Sequence, residues 1–263
     1  MLNELTKLDH PLITEVLFHP RKNIDVEVNK PNNLLIYVTD KIRVGTRLHL
    51  FDSKNPNLIY FHGNAELVSE YDEFSKIYKN LGINFIPVDY RGYGFSNGKP
   101  SFSTMISDSN IIFKYLKNYL IENNYTGQIF IMGRSLGSVS ALEIAQNFQE
   151  EIDGIIIESG FAYIEPLFNL FGISPSLLKI NFDKSLNHIN KIKEYYGPLL
   201  VIHAKNDQII NFSEGLDLYD NSNSNSKFNK WVENAHHNNI IQQMGLNYFN
   251  LLKEFIYQKS ISI

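Results

Sequence analysis

The chain has 263 residues, 43% hydrophobic and 20% charged, with a formal net charge of -4. That balance is ordinary for a globular protein with a sizeable core, and it gives nucleic acid or an acidic membrane surface no basic patch to bind. There are no cysteines, so disulfides, thiolate metal sites, a cysteine nucleophile and S-palmitoylation are all excluded.

Met1–Lys7 lacks the charged-then-apolar pattern of a signal peptide, and no apolar run is long enough for a membrane span. A soluble, cytoplasmic protein without an integral membrane segment is expected. Residues 12–51 read as a β meander, with strands at Ile13–Phe18, Leu34–Val38 and Arg43–Phe51 and turns at Asn32-Asn33 and Asp40-Lys41. Asn57–Phe61 reads as a buried strand ending in His62-Gly63-Asn64-Ala65. A helix is expected from about Glu66 to Asn80, with Leu67, Tyr71, Phe74, Ile77 and Tyr78 inward and Leu81-Gly82 ending it. Ile83–Val88 is the next strand, followed by Asp89-Tyr90-Arg91-Gly92-Tyr93-Gly94. Gly92-Tyr93-Gly94 lacks the third glycine of a dinucleotide fingerprint. Arg91 is expected to tie its loop to a carboxylate. Ser103 is the expected cap of a helix carrying Ile106, Ile111, Phe113, Leu116 and Leu120.

Ile129–Met132 is a short apolar run, as in a strand buried on both faces. Gly133-Arg134-Ser135-Leu136-Gly137 follows and fits G-x-S-x-G; Ala141, Leu142, Ile144 and Ala145 then recur at helical spacing to about Phe148. Chance alone produces that five-residue pattern in roughly one chain in ten of this length. The strand before it and the helix after it are what mark a nucleophile turn. Such a turn strains the serine backbone, and glycines on either side remove side chains that would clash. Ser135 is the expected nucleophile, lifted above the sheet edge over a helix N-terminus.

Gly154–Ile157, Leu199–Ile202 and Phe228–Val232 read as further strands. They end in Glu158-Ser159-Gly160, His203-Ala204-Lys205-Asn206-Asp207 and Asn234-Ala235-His236-His237, and a terminal amphipathic helix is expected over Ile240–Tyr257. The Ser/Asn tract Asn221–Ser226 is a polar loop. From residue 57 onward strand and helix alternate, which implies an α/β fold: a mostly parallel central sheet with helices on both faces. Chemistry in such sheets sits beyond the carboxyl ends of the strands, where the polar clusters fall. Residues 160–196 interrupt the alternation with a dense set of Phe, Leu and Ile around Gly172 and Pro175. They are expected to form a small helical cap, with Phe161, Leu167, Phe168 and Phe171 contacting substrate.

Serine attack requires a base, and the base requires a third group to orient it. Ser135, Asp207 and His237 stand at successive strand ends in an order that supplies all of them. Glu158 is the competing acid and His236 the competing base. Two backbone donors are needed for the oxyanion. The N–H of Leu136 follows the nucleophile, and the N–H of Asn64 lies in the early loop, where Gly63 permits close approach. His203 and His236-His237 lack the ligand spacing of a metal site, and no cofactor is expected.

With those residues in view, roughly residues 30–257 resemble the α/β-hydrolase superfamily. Tyr60–Ala65 and Asp89–Ser101 resemble the subgroup that holds serine aminopeptidase-type hydrolases, esterase-like proteins and eukaryotic protein depalmitoylases. The resemblance implies an α/β-hydrolase fold, one domain over residues 1–263 with the insertion at 160–196, and hydrolysis of an ester, thioester or amide without metal or cofactor. Family members acting on lipidated proteins often carry an N-terminal anchor, which this sequence does not show. His236 stands where the family usually has Gly, and Ala204 at another common Gly position. A small-molecule or lipid-like acyl substrate is expected from the aromatic and aliphatic insertion. A serine aminopeptidase or amidase is the alternative, with Glu165 or Glu194 holding a substrate amine. The remaining alternative is a hydrolase-fold binding protein without turnover.

Overall fold

The computed structural model of the chain describes residues 5–22, 30–173 and 186–257. The chain start, as well as Pro175, Leu177, Leu178 and Ile180 of the expected cap, lies outside the described residues. Helix α1 (Pro11–Leu17) comes first, where alternating β-branched residues pointed to a strand. Pro11 at the first helical position and the cap from His10 Nδ1 to the N–H of Leu12 set its start. Ile13 and Leu17, four residues apart, then bury one face.

An eight-stranded sheet in the order β1-β2-β4-β3-β5-β6-β7-β8 follows. Its strands are β1 (Asn33–Tyr37), β2 (Arg43–Arg47), β3 (Asn57–Phe61), β4 (Asn84–Val88), β5 (Ile129–Arg134), β6 (Gly154–Glu158), β7 (Leu199–Ala204) and β8 (Lys227–Val232). β1 and β2 pair antiparallel, as do β2 and β4, and every later pairing is parallel. The mostly parallel sheet expected from the alternation is present, with β2 ending earlier than Phe51.

Successive residues of each strand feed opposite cores. Ile59, Phe61, Ile131, Ile155, Ile157 and Val201 join one core. On that side lie α1, α3 (Phe102–Glu122), α4 (Ser138–Phe148), α5 (Glu165–Leu170), α6 (His188–Glu194) and α7 (Phe212–Asn221). Leu58, Tyr60, Phe130, Met132, Ile156 and Leu200 join the other, with α2 (Asp72–Leu81), α8 (Ile240–Met244) and α9 (Leu246–Ile256).

Several boundaries differ from the sequence reading. Val68–Tyr71 is a 3-10 turn, so α2 begins at Asp72; Gly82, at φ 72, ends it as expected. Ser101, not Ser103, caps α3: its hydroxyl accepts the N–H of Thr104, whose own hydroxyl accepts the N–H of Ser101. The Ser103 hydroxyl bonds Asp9 instead. Ile111 is 39% exposed, and its neighbour Ile112 holds the buried stripe with Met105, Leu116 and Leu120. The terminal helix is broken into α8 and α9 at Gly245, whose φ of 58 and ψ of -135 suit only glycine. Arg91 donates through Nε and Nη2 to the two carboxylate oxygens of Asp108, at 2.6 and 2.7 Å, which is the structural tie expected of it. Within residues 160–196, α6 packs against α4 and α7, whereas the stretch from Phe161 to Phe171 reaches the strand ends.

Candidate active site

The turn after β5 holds Ser135 at φ 51, a left-handed backbone that costs about 1–3 kcal/mol in a residue with a Cβ. The glycines around it permit the turn. A Cβ on Gly137 would lie 2.0 Å from the carbonyl oxygen of Phe61, and one on Gly133 would lie 2.5 Å from that of Gly137. A 3-10 turn over Ser135–Gly137 leads into α4, so the Ser135 hydroxyl sits at a helix start.

His237 follows β8 and Asp207 follows β7. The structure brings both to Ser135. His237 Nδ1 lies 2.7 Å from Asp207 Oδ2, and its Nε2 lies 3.0 Å from Ser135 Oγ. All three residues are buried. Burial pushes the Asp207 carboxyl up. Hydrogen bonds from His237 and from the N–H groups of Ile209 and Ile210 outweigh it and hold the carboxyl below its ordinary value. The ionised carboxylate puts a proton on Nδ1 and leaves Nε2 free to accept the serine hydroxyl. Chemically, such a chain can take a proton from the serine as it attacks a carbonyl.

The competing residues go elsewhere. Glu158 accepts the Tyr248 hydroxyl and, at 3.1 Å, Arg134 Nε. Burial pushes its carboxyl up despite the guanidinium and the Tyr248 hydroxyl. The ring of His236 is directed away from Ser135, its Nδ1 3.0 Å from the carbonyl oxygen of Asn206. The left-handed residue of that loop is Asn234, at φ 56. The family glycine position at His236 therefore imposes no backbone that histidine resists. Ala204 ends β7 fully buried.

Asn64 and Leu136 both border the Ser135 cavity. Neither backbone N–H is engaged by a protein acceptor among the described residues. The Asn64 side chain is pinned. Its amide donates to the Leu17 carbonyl at 2.7 Å, and its oxygen accepts from the Tyr93 hydroxyl at 2.6 Å and the His19 N–H at 3.0 Å. Beside it, His62 Nε2 faces Asp89 at 3.1 Å and Nδ1 faces the Gly63 carbonyl at 2.7 Å. Burial pulls His62 toward the neutral form, but Asp89 wins and raises its pKa. With a partner at each nitrogen, the His62 ring braces the loop from below.

The cavity above Ser135 measures about 70 Å³ and opens to solvent. Phe161, Leu167 and Phe171 line it; Phe168 does not and is instead fully buried in the core. Neighbouring residues of a helix are about 100° apart around its axis, so Leu167 and Phe168 point in different directions. Leu17, Phe102, Ile209 and Ile210 complete the wall. Leu17 falls in a segment whose composition resembles a strand, and no local signal marks the other three as wall residues. Glu165 and Glu194 are not on the wall; Glu194 accepts Gln146 at 2.6 Å. Among the described residues no group of His, Asp and Glu is arranged to hold a metal ion, and no helix is long and apolar enough to cross a membrane.

The sheet order, the strained serine after β5 and the histidine after the last strand define an α/β-hydrolase. Residues 52–189 match the family described as serine aminopeptidase, S33, and the chain belongs to it. Among curated proteins it is similar to α/β-hydrolase domain-containing protein 17B of Xenopus laevis, 29% identical over 212 residues, or 78% of this chain and 68% of that protein. It is 30% identical over 210 residues to protein 17C of Mus musculus, covering 78% of this chain but 60% of that one. Its fold is similar to that of an esterase of Pyrococcus furiosus, with a TM-score of 0.70 at 18% identity over 92% of this chain and 99% of the other. A monoacylglycerol lipase of Paleococcus ferrophilus shares it at a TM-score of 0.63 and 15% identity, over 82% and 98% of the two chains.

Proposed function

We propose that the protein is a serine hydrolase that cleaves a carboxylic ester or thioester of an apolar acyl chain through an acyl-enzyme on Ser135. The observation that carries this reading is the unbroken chain from Ser135 Oγ through His237 to Asp207, opening into an apolar cavity. Ser135 Oγ attacks the carbonyl carbon as His237 Nε2 takes its proton. The carbonyl electrons move onto oxygen, where the N–H groups of Asn64 and Leu136 receive the charge. The tetrahedral adduct collapses, the C–O or C–S bond breaks, and His237 returns the proton to the leaving alcohol or thiol. Water, activated by the same histidine, then splits the acyl-enzyme. No metal or cofactor takes part. Residues 1–263 act as one domain, whose insertion at 160–196 supplies part of the acyl wall. Labelling with a fluorophosphonate, followed by p-nitrophenyl esters of increasing chain length, tests the reading. A protein inert to both would refute it.

The aminopeptidase alternative needs a carboxylate near the acyl cavity to hold a substrate amine, and none lines it among the described residues. Phe171 is 40% exposed on that wall and can be charged without opening the core. Phe171→Asp is expected to lower kcat/KM for long-chain esters about tenfold or more, the value of roughly two lost methylene contacts, and to spare acetate esters. Equal loss on both series would remove the insertion from substrate binding.

Asp207→Asn keeps the size of the side chain but not its acceptors. The N–H groups of Ile209 and Ile210 at 2.9 and 2.8 Å hold one oxygen of the group, so the amide NH₂ of asparagine turns toward His237. Nδ1 must then accept, and the proton moves to Nε2, facing Ser135. A loss on the order of 10⁴ in kcat is expected, as for the same exchange in a serine protease. The Asp207 carboxyl is depressed in the folded state, so its stabilisation is complete above an ordinary carboxyl pKa of about 3.9 and is lost as pH falls through the lower folded value. Thermal unfolding followed down from about pH 5 should therefore fall less steeply in Asp207→Asn than in the parent. Parallel curves would mean that Asp207 is not ionised in the fold.

A further inference from the structure

Arg134 stands one residue before Ser135, and the serine mechanism gives it no role. It is 11% exposed, and its guanidinium reaches several loops at once. Nη2 donates to the carbonyl oxygen of His237 and to Asn238 Oδ1, each at 3.0 Å. Nε donates to Glu158 at 3.1 Å, and Nη1 pairs with Glu66. Glu66 passes the tie onward: its other oxygen accepts the N–H of Gly63 at 2.7 Å and the Tyr71 hydroxyl at 2.5 Å. Gly63 directly precedes Asn64. A Cβ at Gly63 would lie 2.4 Å from Arg134 Nη1, so the missing side chain there is what admits the guanidinium.

The structure assigns Arg134 as a positioning residue whose planar fork locks the His237 loop and the Gly63–Asn64 loop onto the nucleophile turn. The assignment rests on the reading of Ser135, His237 and Asn64 as the reacting set. A buried cation is costly to desolvate, and Glu66 with Glu158 offsets that cost; the remaining donors go to the base loop. Only a guanidinium can serve these directions simultaneously. An ammonium is a point charge with no fixed fork, so lysine preserves the charge but not the geometry. Arg134, Glu66 and Glu158 border a separate cavity of about 230 Å³ behind His237 and are absent from the wall of the acyl cavity. Disturbing the fork should therefore affect the chemical step and leave acyl binding nearly intact.

Arg134→Met leaves Glu66 and Glu158 without their cation and can fail to fold, so Arg134→Lys carries the test. Lys191→Met serves as the control, because Lys191 and Glu143 form another buried ion pair, at 2.6 Å, between α6 and α4. Expected for Arg134→Lys is a 10- to 100-fold fall in kcat, the scale of a misplacement of about 1 Å, with KM little changed. The downfield proton resonance of the His237 Nδ1–H should broaden or vanish in Arg134→Lys and persist in Lys191→Met. A parent-like kcat with a sharp, unshifted resonance in Arg134→Lys would overturn the assignment. So would equal losses in Lys191→Met, since the effect would then be general loosening. If the parent protein reacts with neither fluorophosphonate nor ester, the hydrolase reading fails instead, and the resonance comparison alone decides for or against Arg134.

Discussion

Ser135→Ala is expected to abolish fluorophosphonate labelling and to lower ester turnover by a factor on the order of 10⁶, the scale seen when the serine of another such hydrolase is removed. The size follows from the site. Among the described residues Ser135 alone places a hydroxyl 3.0 Å from His237 Nε2, and the turn that presents it is strained at φ 51. Alanine adopts that backbone at a similar cost and keeps the Cβ, so the fold should persist. Residual turnover of about 10³–10⁴ over water would be left to the oxyanion donors and to binding. Intact-mass spectrometry after labelling, with thermal unfolding as a check on the fold, decides the matter. Stoichiometric labelling of the folded variant would mean that another residue is the nucleophile.

His237→Ala is expected to cost about as much, because serine and histidine act as a unit and removing either leaves the other idle. The variant also strips one partner from the buried Asp207 carboxylate. The N–H groups of Ile209 and Ile210 remain to hold it, so a modest drop in unfolding temperature is expected rather than collapse. The neighbouring position provides the contrast. His236 directs its ring to the Asn206 carbonyl, and its backbone N–H donates to Asn239 Oδ1 at 2.5 Å. His236→Gly should therefore keep most of the activity. Its backbone is not left-handed, so glycine gains nothing there and adds freedom to the unfolded chain, costing roughly 0.5–1 kcal/mol. Steady-state rates per folded molecule separate the two. An inactive His236→Gly beside an active His237→Ala would reverse the assignment of the base.

The sheet, the sharp turn after β5 and the order of Ser135, Asp207 and His237 at strand ends are legible in the sequence because each rests on local physics. A strand buried on both faces must be apolar throughout, as Ile129–Met132 is. The turn between strand and helix needs glycine at Gly133 because a Cβ there would meet the carbonyl of Gly137 within the turn itself. A helix ends at Gly82 because that residue adopts φ 72 freely. The same locality misled where the signals were mixed. Ile13-Thr14-Glu15-Val16 has β-branched composition, yet a proline at the first helical position and burial of Ile13 and Leu17 made it a helix. Ile240–Tyr257 has an unbroken helical stripe, but Gly245 interrupts it.

Tertiary structure alone decided which of two adjacent histidines meets Ser135 and which carboxylate meets the histidine. Asp207 and Glu158 both follow strands, and only their side-chain directions in the folded sheet separate them: one toward His237, the other toward Arg134 and Tyr248. The wall of the Ser135 cavity is likewise a product of assembly. Leu17, Phe102, Phe161 and Ile210 come from distant parts of the chain, and no local pattern relates them. Phe168 carries the same apolar signal as Phe171, but it turns into the core while Phe171 borders the cavity. Hydrophobicity in a sequence says that a side chain leaves water. Which of the available apolar environments it enters depends on the packing of elements far away in the chain.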